Sequence, residues 1–333
     1  MYDCKSTALP KKVSDNRAAI VTKLVEMAQN GELDWSRGWA NRFARPYNPI
    51  SNHFYQGCNL ALLSFTAIIN YYNDRRWMTY NQAKANGWQV RKGEKGTIVE
   101  KWSRVTFTKE DKDGNEKVVS FMKCTGVWHV FNAAQIDGIP AEEPCDHRAN
   151  DATEIDKVAD RFIATSRCPI HESTVSNEAY YMPYNDEVVV PSRLMFDTSE
   201  DFLATLLHEM THSTAKPLAR KINAHFGSER YSREELVAEL GSMFVTATLG
   251  LEMGDDVEHN HAAYIQNWLR NLAKETDKGE EVDASDLFRA ASKASKACDY
   301  LIDAYEGKDL SKYERKETKG ESKSKGKKET VKA

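Results

Sequence analysis

No run of apolar residues in this 333-residue chain approaches the roughly 18 to 20 that cross a bilayer, and charged residues make up 29% of it. That excludes a helical membrane protein and leads to the expectation of a soluble one. Closely spaced cysteines are missing too. The six present (Cys4, Cys58, Cys124, Cys145, Cys168 and Cys298) are scattered, with no C-x-x-C pair. Such spacing argues against a disulfide framework or a structural zinc ribbon and fits free thiols in a reducing cytoplasm. The first residues offer neither a basic segment leading into an apolar core nor a small-residue cleavage site, so no secretory signal is expected.

A strong net charge is lacking as well, at −4 overall, but the distribution is uneven. Residues 1–140 hold 20 Lys and Arg against 13 Asp and Glu, residues 141–307 hold 16 against 32, and residues 308–333 hold 10 against 5. A basic first region suits a polyanion, whereas an acidic second region repels one, so the two are expected to take different ligands. The division expected is an α+β first domain over 13–140, a linker over 141–151, a mainly helical second domain with a small sheet over 152–306, and a basic disordered tail over 307–333.

Apolar periodicity predicts helices over 15–30 and 60–73, with Gly31 stopping the first. Trp77 to Ala83 opens a short helix with Thr79 as its cap. Strands are expected at 97–102 and 126–132, with a hairpin pairing 105–108 with 117–123 across Asp113-Gly114-Asn115. Beyond the linker, helices are expected over 154–166, 234–249, 261–274 and 283–305, with a hairpin over 179–191 whose second strand stops at Pro191.

The chemistry centres on His208-Glu209-Met210-Thr211-His212. Two histidines four residues apart on a helix lie one turn above each other and can converge on one Zn2+, while the glutamate beside the first addresses a water. Asp197 to Asp201 supplies capping and early-turn acids, and Phe202, Leu203, Leu206, Leu207 and Met210 supply the apolar face. A catalytic zinc takes a third protein ligand, and Glu235 and Glu239 share one helix face. Glu235 is read as the ligand and Glu239 as a carboxylate orienting a histidine, with Glu239 as ligand kept open. Ser232-x-x-Glu235 also reads as a capping box, and His225 is a weaker candidate. In this arrangement Glu209 is the general base of peptide hydrolysis. The strand at Glu187–Val190 could offer an edge to an extended peptide.

In the first region aromatic residues alternate with cations, the mixture that stacks on unpaired bases and follows phosphates. The candidate DNA-binding residues are Trp39, Arg45, Tyr55, Asn59, Trp77, Tyr80, Arg91, Lys92 and Lys95.

Several stretches together resemble one family: Asn48-Pro49 through Phe54-Tyr55-x-Gly57-x-Asn59, Trp77-x-Thr79-x-x-Gln82-Ala83, Gly87 through Val90-Arg91-Lys92-Gly93-Glu94-Lys95-Gly96, and Val130-Phe131-Asn132. To these add Asp186 to Pro191, Thr205-x-x-His208-Glu209-x-x-His212, Phe226 through Glu239, and Tyr264-Ile265-x-x-Trp268-Leu269. The chain resembles ArdC-type antirestriction proteins of conjugative plasmids and other mobile elements. The resemblance covers nearly all of 18–301. It implies a single-stranded-DNA-binding first domain, a zincin-like metallopeptidase second domain, and protection of incoming DNA from restriction. Two features depart from the family pattern: Ser213-Thr214-Ala215-Lys216-Pro217 lacks an expected glycine, and the basic tail is additional. A DNA-associated protease acting on a host or DNA-bound protein, and a pure binding protein with a structural zinc, stand as the other readings.

Overall fold

The computed structural model describes residues 9–31, 45–110, 116–142, 152–222, 229–251, 253–277 and 285–313. Trp39, His225, most of the expected linker and the tail beyond 313 lie outside the described residues.

Helix α1 (Lys11–Asn30) starts just after Pro10, four residues earlier than periodicity indicates. It ends at Gly31, whose φ of 71° gives the left-handed stop and whose N–H bonds to Met27 O. Helix α2 (Cys58–Ile69) is buried on most sides, as its run of apolar residues requires. Next, Trp77–Thr79 forms strand β3 rather than a helix start, following two short strands, β1 (Tyr47–Asn48) and β2 (His53–Phe54). Thr79 then caps α3 (Tyr80–Ala85) in a reciprocal capping box with Gln82.

Strand β4 (Gln89–Val90) pairs with β7 (Ile136–Asp137). The expected hairpin and the strands flanking it merge into one antiparallel ribbon, β5 (Thr97–Glu110) with β6 (Glu116–Asn132). The register shifts between Lys101 and Trp102, and β3 pairs with the end of β6 through Trp77↔Asn132. At the ribbon's base Glu100 is buried, and Arg17 of α1 answers it through two nitrogens at 2.9 and 2.7 Å. Trp102 Nε1 donates to the same carboxylate at 2.7 Å. A buried carboxylate needs such partners, because removing one leaves an uncompensated charge.

In the second region helix α4 (Ala152–Thr165) precedes a small mixed sheet. Its central strand β10 (Glu187–Pro191) lies parallel to β8 (Ile170–Ser173) and antiparallel to β9 (Tyr180–Met182). The expectation that Glu187–Val190 offers a free edge is therefore corrected: β10 is paired on both sides, and β8 and β9 are the edge strands. The β9–β10 turn is held by Asp186, which accepts from Tyr181 Oη at 2.8 Å, from Arg167 and from Lys216. Helices α5 (Ser199–Ser213), α6 (Glu229–Leu249), α7 (Asp255–Asp277) and α8 (Ser285–Tyr305) follow. Residues up to Tyr313, assigned by composition to the tail, fold back on α8, with Tyr313 Oη donating to Asp303 at 2.5 Å.

One apolar core joins the two regions. Leu24 of α1 and Leu62 and Phe65 of α2 belong to the same buried cluster as Leu206, Leu240 and Phe288. Polar ties cross the same boundary: the Gly57 N–H donates to Ser295 Oγ at 2.8 Å, and Arg45 pairs with Asp299 at 2.7 Å.

Within that core α5 and α6 approach closely. A Cβ on Gly241 would stand 2.4 Å from Thr211 Cγ2. Thr211 is completely buried and hydrogen-bonded to Leu207 O, so it cannot swing aside. Gly241→Ala is expected to destabilise the fold by about 1–3 kcal/mol through overpacking, with Thr211→Ala in the same chain recovering part of the loss. Chemical denaturation of the three variants checks this; an unaffected Gly241→Ala would show that the helices can separate freely.

Candidate metal centre and aromatic groove

Helix α5 starts at a Thr198 cap whose Oγ1 accepts from Asp201 N, and it presents His208 and His212 one turn apart, with ring centroids 5.0 Å apart. The facing helix α6 begins at Glu229, so Ser232 and Glu235 sit inside it and the capping-box reading of Glu235 falls. Glu235 lies between the two imidazoles, with Oε2 3.4 Å from His208 Nε2 and Oε1 3.5 Å from His212 Nε2. One donor atom from each of the three lies within 4.8 Å of the other two.

Glu239 faces the other side of His208, with Oε1 3.8 Å from Nδ1. Glu234, which helical spacing sets apart from Glu235 and Glu239, reaches the outer side of His212. It is buried, 3.7 Å from His212 Nδ1, and Arg220 donates to it at 2.8 Å. Each histidine thus has one nitrogen toward Glu235 and the other toward an outer carboxylate. The charge balance follows. Burial works to raise the Glu235 carboxyl, yet hydrogen bonds from His208 and His212 hold it well below the usual range. Burial works to lower His212, yet Glu234 and Glu235 push it up to about 9. The negative charge of the carboxylates that holds a proton on His212 also favours a metal cation in its place.

Glu209 is buried at 8% exposure. That burial raises its carboxyl above the ordinary value, opposed by the charges of His212 and His208 and by a hydrogen bond from the backbone of Tyr181. The edge strand β9 therefore lies directly against the glutamate of the motif.

The donor set fits a divalent ion. Two imidazole nitrogens and one carboxylate oxygen are the three protein ligands that a catalytic zinc takes while keeping a position for water. Among the described residues no other group of three His, Cys, Asp or Glu converges in this way.

The candidate DNA-binding residues separate into two sets. Trp77 is 1% exposed, with no open face for a base. Arg45 is buried, spent on Asp299 and on the Phe54 ring 5.6 Å away. Asn59 uses both amide atoms on the backbone of Glu100, each at 2.7 Å. Arg91 is engaged by Glu94, Ala134 O and Asp137. Trp77, Arg45 and Asn59 are corrected to structural roles by their burial or their bonding, whereas Arg91 stays exposed with its guanidinium paired. By contrast, Tyr55 and Tyr80 line a groove of about 1070 Å³, and Lys92 and Lys95 are exposed.

Trp128, His129, Phe131, His53 and Asn48 line the same groove and were missed. Trp128 is 46% exposed, beneath the Lys101 ammonium 5.7 Å away. A tryptophan in a strand gives no local signal for which way it faces.

Comparison with known proteins places these features in a family. Residues 157–293 match the model of a zincin-like metallopeptidase, and residues 14–131 match that of the N-terminal domain of anti-restriction factor ArdC. The metal-free crystal structure of antirestriction ArdC from plasmid R388 is 32% identical, with TM-score 0.60, covering 88% of this chain and 98% of that one. The Mn(II)-bound structure of the same protein is 31% identical, with TM-score 0.58, covering 87% and 97%. Uncharacterized protein y4eC of Sinorhizobium fredii is 30% identical, covering 88% of this chain and 93% of that one. Two Escherichia coli proteins named DNA primase TraC are 34% and 33% identical over 87% of this chain, which spans only 20% and 27% of their length.

The fold and site are thus those of a two-region α+β protein with a zincin-like second region. The chain belongs to the ArdC antirestriction family.

Replacing Glu235 by Gln is expected to weaken Zn2+ and Mn2+ binding by about 100-fold or more, since it removes a charged ligand from a three-ligand set. Calorimetric titration of full-length protein checks this, and unchanged affinity would remove Glu235 from the ligand set.

Proposed function

We propose that the chain is an antirestriction protein of a mobile genetic element that binds single-stranded DNA through its first region and carries a zinc-dependent peptidase centre in its second. His208, His212 and Glu235 hold the metal in this reading. The observation that carries the enzymatic half is their convergence beside a buried Glu209 that touches an edge strand. When bound, a divalent cation supplies a Lewis acid that acidifies a water and polarises a carbonyl. Glu209 accepts the water's proton and returns it to the leaving amine, and burial has raised its basicity for that task.

Among the described residues the outer side of β9 pairs with no other strand, and in this reading an extended peptide adds there, next to the Tyr181 backbone that donates to Glu209. Beside that strand lies a cavity of about 430 Å³ with Ala179, Met195, Phe196 and Thr205 in its wall, large enough for a side chain. Peptide or protein is the substrate class in this reading.

The DNA half rests on the groove of the first region. Exposed Tyr80 and Trp128 offer ring faces, Lys101 supplies positive charge over Trp128, and Lys92 and Lys95 are exposed elsewhere on the same region. Stacking on such faces contributes about 1–3 kcal/mol per base and needs unpaired bases. The names of the TraC relatives are those of DNA enzymes, in keeping with a DNA partner.

Trp128→Ala and Tyr80→Ala are each expected to weaken binding of a fluorescent single-stranded oligonucleotide by about 5- to 100-fold, the equivalent of one lost stack. Duplex binding should change little. Equal loss for both forms, or no loss, would contradict the groove. Glu209→Gln is expected to lower peptide hydrolysis by about 100-fold or more while leaving metal and oligonucleotide binding intact. If its hydrolysis equals that of the parent, Glu209 is not the base.

A further inference from the structure

His261 stands near the start of α7, in a helix whose contribution to the site no local motif announces. Its Nδ1 lies 2.5 Å from Glu239 Oε2. The other oxygen of that carboxylate lies 3.8 Å from His208 Nδ1, and His208 Nε2 faces Glu235 at 3.4 Å. The groups therefore form one line, His261 to Glu239 to His208 to Glu235, crossing from α7 through α6 to α5 and back to α6. The His261 side chain is only 11% exposed, and its Nε2 is buried without a hydrogen-bond partner.

That pattern fixes the ring's tautomer. A bond from Nδ1 to a carboxylate needs the proton on Nδ1. A proton on Nε2 would instead leave a buried N–H with nothing to receive it. Glu239 is then tied through Oε2 and presents Oε1 to His208. A carboxylate in that place favours a proton on His208 Nδ1, which frees Nε2, the nitrogen now facing Glu235, to take a metal cation between them.

His212 has the same arrangement with a different anchor, since Glu234 faces its Nδ1 at 3.7 Å and Arg220 ties Glu234 at 2.8 Å. The two histidines are thus oriented by equivalent carboxylates, one anchored by an arginine and the other by a histidine.

We propose that His261 is a positioning residue of the metal centre: acting through Glu239, it fixes the orientation and tautomer of His208 and so sets the affinity for a divalent cation. The inference rests on His208, His212 and Glu235 being the ligands.

The test is Zn2+ titration of chelator-stripped full-length protein in competition with a chromophoric chelator, with thermal midpoints of the metal-free proteins alongside. His261→Ala is expected to weaken Zn2+ binding about tenfold, the lower end for partners outside the ligands. His261→Asn, whose amide places a donor near Nδ1, restores most of the affinity, whereas His261→Gln, whose amide reaches toward Nε2, does not. Glu239→Gln combined with His261→Ala binds no more weakly than Glu239→Gln alone, because the anchor then has nothing to hold. His171→Ala, an exposed histidine of β8, is the control.

A His261→Ala affinity within twofold of the parent, or losses that add in the double variant, overturns the inference. If His261→Ala does not fold, equal affinities for the Asn and Gln variants overturn it. A parent protein that binds no Zn2+ defeats the ligand assignment itself, and this inference with it. A parent that binds normally beside an unaffected His261→Ala defeats the inference alone.

Discussion

The approach of α5 to α6 at Gly241 sets the spacing on which the metal centre depends. Thr211 occupies a position between the two motif histidines and packs where a side chain on Gly241 would stand. Only with the helices this close does one carboxylate, Glu235, come within 3.4 and 3.5 Å of two imidazoles on the neighbouring helix. The Ser242 hydroxyl adds a bond to Ala204 O at 3.3 Å across the same contact. Protein interiors resist continuous deformation, so a contact of this kind fixes the donor geometry before any ligand is present.

The second constraint is charge. Glu209, Glu234, Glu235 and Glu239 surround two histidines in a mostly buried setting, which without compensation would be strongly unfavourable. Arg220 offsets part of it from outside, and His261 gives Glu239 a hydrogen-bond partner. The remaining negative charge faces the two inner imidazole nitrogens. This gives a physical basis for the acidic second region, and the shared apolar core shows how a basic region of opposite preference is joined to it. Helices α1 and α2 of the ArdC-like first region pack into the core that holds the motif helix.

Much of this was legible in the sequence because it is local. The histidine pair and its glutamate follow from a four-residue spacing, and Gly31 and Thr79 are local stop and start signals; the expected turn at Asp113-Gly114-Asn115 lies outside the described residues. Glu235 was legible as one of two acids, with Glu239, that share a face of a following helix. What was not legible depends on tertiary contact. Glu234 turns to His212 although helical spacing sets it apart from Glu235 and Glu239, and His261 arrives from another helix. Trp77 and Trp128 make the same point: both lie in strands, yet one faces the interior and the other the groove, a difference set by which sheet face the core covers. The edge was assigned to β10 because that strand immediately precedes the motif helix, but β8, distant in sequence, pairs with it and closes it.

X-ray absorption at the zinc edge, on full-length protein loaded with one Zn2+, tests the central claim most directly. The account predicts two imidazole nitrogens and one carboxylate oxygen, together with an exchangeable oxygen, at about 2.0–2.2 Å. Sulfur in the coordination shell, or a single imidazole, would contradict it.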